Sequence, residues 1–154
     1  MSSAVIVVQP EGLRIPTAVS ELASFRSWTR SDEFPDRGRI DYLDGEVDVD
    51  MSPEDLTTHG SVKVAISTAL HNLVVDELDC GEVLSDRSRM SSEEAGLSSE
   101  PDVLVLLEAS LASGRVRLLP KSGHTARWVE LDGPPTWSSS ASATRPLART
   151  GCRC

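Results

Sequence analysis

The sequence has no apolar run approaching the ~20 residues that a membrane-spanning helix needs. Its opening, MSSAVIVVQP, has too short an apolar stretch and no basic region ahead of it to serve as a secretory leader. A cytoplasmic location is therefore expected. Cysteine is scarce, with three residues (Cys80, Cys152 and Cys154). An odd count fits a reducing compartment and argues against a disulfide scaffold. Cys152 and Cys154 alone lack the further ligands that zinc takes. Basic residues are also in short supply, 15 Lys and Arg against 24 Asp and Glu, giving a net charge of −9. That balance opposes nonspecific attachment to nucleic acid, because phosphate contacts come from Lys and Arg. A DNA-acting site in such a chain would have to hold its own cations.

What is present suits one domain of ordinary size: 154 residues with a hydrophobic fraction of 39%. Residues 1–16 read as an extended N-terminal arm. In TAVSELASFRSWTRSDEF, Val19, Leu22, Ala23, Phe25 and Trp28 fall near helical spacing, and Thr17 or Ser20 is placed to cap a short amphipathic helix. In RIDYLDGEVDVDMS, Asp44-Gly45 separates two alternating runs, a hairpin signal because both residues tolerate the positive φ of a type I′ turn. Val47, Val49 and Met51 then share one strand face, and Glu46, Asp48 and Asp50 the other.

From about Thr57 to Leu78 the rhythm becomes helical. Val62, Ile66, Ala69, Leu70, Leu73 and Val74 form a face expected to be buried, with His59 and Lys63 one turn apart near its start. GEVLSDRSRM reads as a strand and SSEEAGLSSE as a polar loop. PDVLVLL is a continuous apolar run after a proline, the mark of a strand covered on both faces. EASLASG predicts a short helix, RVRLLP a further strand, and ARWVELDG an alternating strand ending in an Asp-Gly turn. The arrangement predicts a mixed α/β fold built around a sheet.

Three residues could carry chemistry. Asp102 stands where a buried strand begins, an unfavourable place for a carboxylate unless a metal or partner compensates it. Glu46 and His59 lie on the hairpin and helix expected to pack on that sheet. Plainer roles are open to each: a turn cap for Asp102, a solvated strand face for Glu46, Asp48 and Asp50, and a backbone-bonded helix start for His59.

Taken in order, IDYLDGEVDVDMSP…HGSV, GEVLSD and EPDVLVL resemble the Uma-two-like restriction endonucleases, a branch of the PD-(D/E)XK nuclease superfamily. The resemblance runs from about Arg39 to Pro135. It implies a restriction-endonuclease-like α/β fold over residues 17–135, a mixed sheet with flanking helices, and DNA cleavage dependent on Mg²⁺ or Mn²⁺. By the same resemblance Asp102 matches the aspartate of the PD half-motif and a metal ligand, Glu46 the glutamate of DGE, and His59 the HG histidine. A homodimer is expected only by analogy with nucleases that cut both strands.

The resemblance fails after Pro135. The family continues with a strand resembling DLVVEV, whose glutamate is the second metal ligand, and then a lysine. Here Thr136 onward contains no Asp, Glu, Val or Ile and ends Cys-Arg-Cys. Trp137 has a single codon, and reading one base earlier turns Thr136-Trp137-Ser138 into codons that allow Asp-Leu-Val, with Val-Glu and a later Lys to follow. Residues 136–154 are accordingly read as a frameshifted, disordered tail. The C-terminal part of the nuclease core is then absent, DNA cleavage is impaired, and the edge of the strand at Val103 to Leu107 is expected to be open. The alternative is a non-catalytic remnant or interaction domain of the same fold.

Overall fold

The computed structural model of the protein describes residues 5–8, 12–52, 60–85, 87–124, 127–134 and 137–139. Strands β1 (Val5–Val8) and β2 (Leu13–Pro16) pair antiparallel as a hairpin. The expected arm is thus strand in its described part, and alternation along β2 sends Leu13 and Ile15 into the core. A 3₁₀ turn at Thr17–Ser20 leads to helix α1 (Leu22–Thr29). Neither Thr17 nor Ser20 caps it: the extended residue before the helix is Glu21, and no side chain caps that end.

Six strands make the main sheet: β3 (Arg39–Leu43), β4 (Glu46–Asp50), β6 (Arg89–Ser92), β7 (Leu97–Ser99), β9 (Arg117–Pro120) and β10 (Trp128–Asp132). Their order is β4-β3-β7-β6-β10-β9, with β6 and β10 parallel and every other pair antiparallel. The sheet is mixed, as expected. Asp44 (φ 48°) and Gly45 (φ 94°) form the β3–β4 turn with both φ values positive, the backbone that a two-residue type I′ hairpin requires.

A second sheet has the order β11-β8-β5 and is built from β5 (Gly81–Ser85), β8 (Val103–Leu107) and β11 (Trp137–Ser139). Helix α3 (Glu108–Ala112) follows β8 directly. Val103 through Leu106 are buried, so the apolar run is a strand covered on both faces.

Each face of the main sheet has its own core. Phe25 and Trp28 of α1 pack on Ile40 and Tyr42 of β3 with Leu13, Ile15 and Val19. Met90 and Leu131, on the other face, pack on Leu104 and Leu106 of β8 with Val116. The layers therefore run α1, six-stranded sheet, three-stranded sheet. Because side chains alternate along a strand and Leu43 pairs with Leu97, which packs in the second core, Arg39 and Asp41 face the smaller sheet.

Three expectations need correction. The segment read as a polar loop, SSEEAGLSSE, is a β-hairpin: β6 and β7 pair, and Ser91 and Ser98 are fully buried, with the Ser91 hydroxyl donating to Ser98 Oγ at 2.8 Å. The helix expected over 57–78 is described as α2 (Ser61–His71) running into a π-helical stretch, Asn72–Glu77. Of its supposed buried face only Val74 is buried, while Val62 and Leu73 are 53% and 45% exposed. The third correction concerns only the start of the tail, since residues 140–154 lie outside the described residues. Trp137, Ser138 and Ser139 pair antiparallel with Val105, Leu104 and Val103, so the start of the supposed tail closes this stretch of the β8 edge. Backbone hydrogen bonds do not require the alternating apolar side chains that this segment lacks.

Removing Trp137–Cys154 should therefore destabilise the protein. A three-residue pairing contributes about 1–3 kcal/mol at about 0.5–1.5 kcal/mol per hydrogen bond, a Tm loss of roughly 2–10 °C. Thermal unfolding of the full chain beside the shortened one measures this; identical Tm values would show that β11 adds nothing.

Candidate functional site

Asp102 ends the turn that enters β8, and Arg39 opens β3 on the face that looks toward β8. Arg39 Nη1 stands 3.8 Å from Asp102 Oδ1, and its Nε donates to Asp41 Oδ2 at 2.8 Å. One guanidinium thus joins two carboxylates on two different sheets. Asp50 lies opposite Arg39 in the β3–β4 register and Asp48 lies opposite Asp41, so both share this face. The side chains of Arg39, Asp41 and Asp102 are 26%, 17% and 23% exposed, shielded enough to strengthen their attraction yet open to solvent. The Ser52 N–H donates to Asp50 Oδ1 at 2.8 Å; this bond, helped by the nearby Arg39, holds the Asp50 carboxyl below its ordinary range.

The loop that presents Asp102 is fixed from behind. Arg89, 4% exposed, is sandwiched in the α1-side core with its guanidinium 5.4 Å from the Phe25 ring centre and 5.2 Å from that of Phe34. It donates to Ser98 Oγ (3.2 Å), the Ile40 carbonyl (2.7 Å) and Glu100 Oε1 (2.7 Å). Glu100, two residues before Asp102, in turn donates its N–H to Asp41 Oδ1 at 2.9 Å. Arg89 thus ties β3, β6, β7 and the Asp102 loop together, and Asp41 is held from two sides.

The sequence-derived candidates fare differently. Asp102 is in this group. Glu46 is exposed and pairs with Leu43 beside the hairpin turn, four residues along β4 from Asp50, roughly 13 Å of strand. By register it shares the face of Arg39 and Asp41, at the hairpin end of that face. His59 lies outside the described residues. The residues that sequence reasoning passed over are Asp41 and Arg39. Their signal was the alternation of RIDYL, which sets Arg39 and Asp41 on one face and Ile40 and Tyr42 on the other.

Comparison of the chain with known protein families, with curated proteins and with solved structures finds no match in any of the three.

Two outcomes follow from this geometry. Arg89→Met should destabilise the fold by about 3–5 kcal/mol, because it strands the part-buried Glu100 carboxylate, and Glu100→Gln in the same chain should recover part of that loss. Urea unfolding of both variants tests it, and an Arg89→Met midpoint matching the parent would refute the clamp. Acid should also weaken the β4 end. A folded-state pKa below the unfolded value means that Asp50 stabilises the native state above the unfolded carboxylate pKa, about 3.9. That contribution disappears as pH falls through the lower folded value. Asp50→Asn should remove this part of the acid sensitivity, measured as Tm between pH 7 and pH 3; unchanged curves would assign the loss to other carboxylates.

Proposed function

We propose that the protein is a restriction-endonuclease-like domain whose chemistry is hydrolysis of DNA phosphodiester bonds, and that the present chain performs it slowly or not at all. One observation carries the reading: Asp102, entering a buried strand, and Asp41, on the facing sheet, flank the same guanidinium. Carboxylates converging from two strands are the beginning of a site for a divalent ion that activates water at a phosphodiester. The ordered resemblance from Arg39 to Pro135 supports the same assignment.

The donor set does not fit Mg²⁺ or Mn²⁺ as it stands. Mg²⁺ demands near-octahedral oxygen ligation. Among the described residues no group of three or more His, Cys, Asp or Glu is arranged to hold a metal. Arg39 already supplies the positive charge between Asp41 and Asp102. No catalytic step is therefore derived through an ion. This arginine favours a second reading, a non-catalytic domain of the same fold in which the Asp41–Arg39–Asp102 bridge joins two sheets.

A nicking assay separates the readings. Supercoiled plasmid is incubated for long periods with Mg²⁺ or Mn²⁺, using the parent and Asp102→Ala. Slow nicking by the parent that falls to background in Asp102→Ala supports the impaired nuclease. No nicking above background, with no metal-dependent shift in the parent's Tm, assigns the protein to the non-catalytic reading. Rapid nicking would show that the metal site is complete and that ligands beyond Asp41 and Asp102 exist.

A further inference from the structure

Three arginines converge on a cavity of about 290 Å³ that the Asp41–Asp102 site does not use. Helix α1 supplies Arg26, with Ala23 beside it, and Arg30 follows at its C-terminal cap, while edge strand β9 supplies Arg117 and Leu119. In the β9–β10 register Arg117 lies opposite Asp132 and Leu119 opposite Glu130, so all four share the face that α1 covers. The cavity is therefore on the opposite side of the sheet from Asp41 and Asp102.

The three guanidiniums are not equivalent. Arg26 is consumed: its Nε meets Glu130 at 2.5 Å, its Nη2 Asp132 at 2.7 Å and its Nη1 Glu93 at 3.3 Å. Burial pushes its pKa down, but the pairing with Glu130 and Asp132 more than offsets this and raises it, so it stays charged. Arg30 is engaged only through Nε, which donates to the Arg26 carbonyl at 3.1 Å and lies 3.4 Å from Glu130 Oε2. Arg117, with a side chain 71% exposed, is engaged through Nη2 with Asp132. Among the described residues no partner occupies the two Nη groups of Arg30, nor Nε and Nη1 of Arg117. Two forks with unused donors thus line one cavity from different elements. The lining carboxylates are Asp132, which both Arg26 and Arg117 contact, and Glu93, which pairs with Arg26.

We propose that this cavity binds a small oxyanion, specifically a phosphate monoester, between Arg30 and Arg117. A guanidinium fork matches two oxygens of a phosphate group, giving charge-assisted hydrogen bonds. A volume near the lower end of ligand pockets (about 300–1,000 Å³) fits a compact group, and Ala23 and Leu119 offer apolar lining to a small organic body. A molecule of net charge −9 repels anions at long range, so binding here rests on these donors and not on a general positive field.

The test is titration of the full chain with inorganic phosphate, methyl phosphate and a dinucleoside monophosphate, followed by calorimetry and by Tm, with chloride at matched ionic strength as the control. Phosphate and methyl phosphate should bind saturably, and Arg117→Ala, an exposed change, should weaken both about tenfold, the loss expected for one charged hydrogen bond. Arg117→Lys should recover part of the affinity. Arg30→Ala should weaken binding as well, and its unliganded melt reports separately on the Glu130 contact. Equal stabilisation by chloride and phosphate, or equal affinity in parent and Arg117→Ala, would mean that the arginines only strap α1 to the sheet and would overturn the proposal. Tighter binding of the dinucleoside monophosphate would overturn the monoester assignment in favour of a nucleic-acid backbone.

Discussion

The arrangement of this protein depends on a positive charge in its interior. Arg89 stands between Phe25 and Phe34, where an unpaired cation would be strongly disfavoured. It is tolerated because a serine hydroxyl, a main-chain carbonyl and a carboxylate converge on it from β7, β3 and the residue before Pro101. Those partners must be in register for the charge to be buried at all. Satisfying Arg89 therefore sets the β3–β7–β6 alignment, and the Asp102 loop is positioned as a consequence. A hydrophobic residue there could fill the space, but it would leave Glu100 without a partner and the loop without its anchor.

The same device recurs. Arg26 fastens α1 to β10 through Glu130 and Asp132, and Arg39 fastens β3 to the start of β8 through Asp41 and Asp102. In a chain with an excess of acids, arginine is the means by which separate layers are cross-linked, because its planar fork serves several acceptors at once. Glu130 shows the limit of this arrangement: its Oε1 accepts from Arg26, while among the described residues Oε2 has no hydrogen bond and only the 3.4 Å approach of Arg30 Nε.

Much of the fold was legible in the sequence because its signals are local. The Asp44-Gly45 turn, the apolar run at Val103 to Leu107 and the alternation of WVELD each follow from backbone sterics and burial acting within a few residues. What was hidden depends on partners distant in sequence. Ser91 and Ser98 read as loop residues, yet they sit fully buried because they bond to one another and because Ser98 also accepts from Arg89. The α2 face misled in the opposite direction. Helical spacing reveals which residues share a face, but not whether another layer arrives to cover it, and here Val62 and Leu73 remain exposed. At the candidate site, Asp102 announced itself by standing at the mouth of a buried strand. Asp41 did not, since only the pairing of Leu43 with Leu97 shows that its face looks toward β8.

The Asp41–Arg39–Asp102 bridge also constrains what this region can do. A carboxylate pair available to an incoming cation must be able to give up its existing counter-charge. Arg39 is held by Asp41 at 2.8 Å but lies 3.8 Å from Asp102, beyond ordinary hydrogen-bond length. The two halves of the bridge are therefore unequal. Asp41 has a close ion pair and also accepts the Glu100 N–H, so it is held from two sides. The Arg39–Asp102 contact is the weaker one and joins the two sheets across a partly solvated gap. Displacing Arg39 from Asp102 would leave the Arg39–Asp41 pair intact. Of the two carboxylates that Arg39 bridges, Asp102 is the one it approaches less closely.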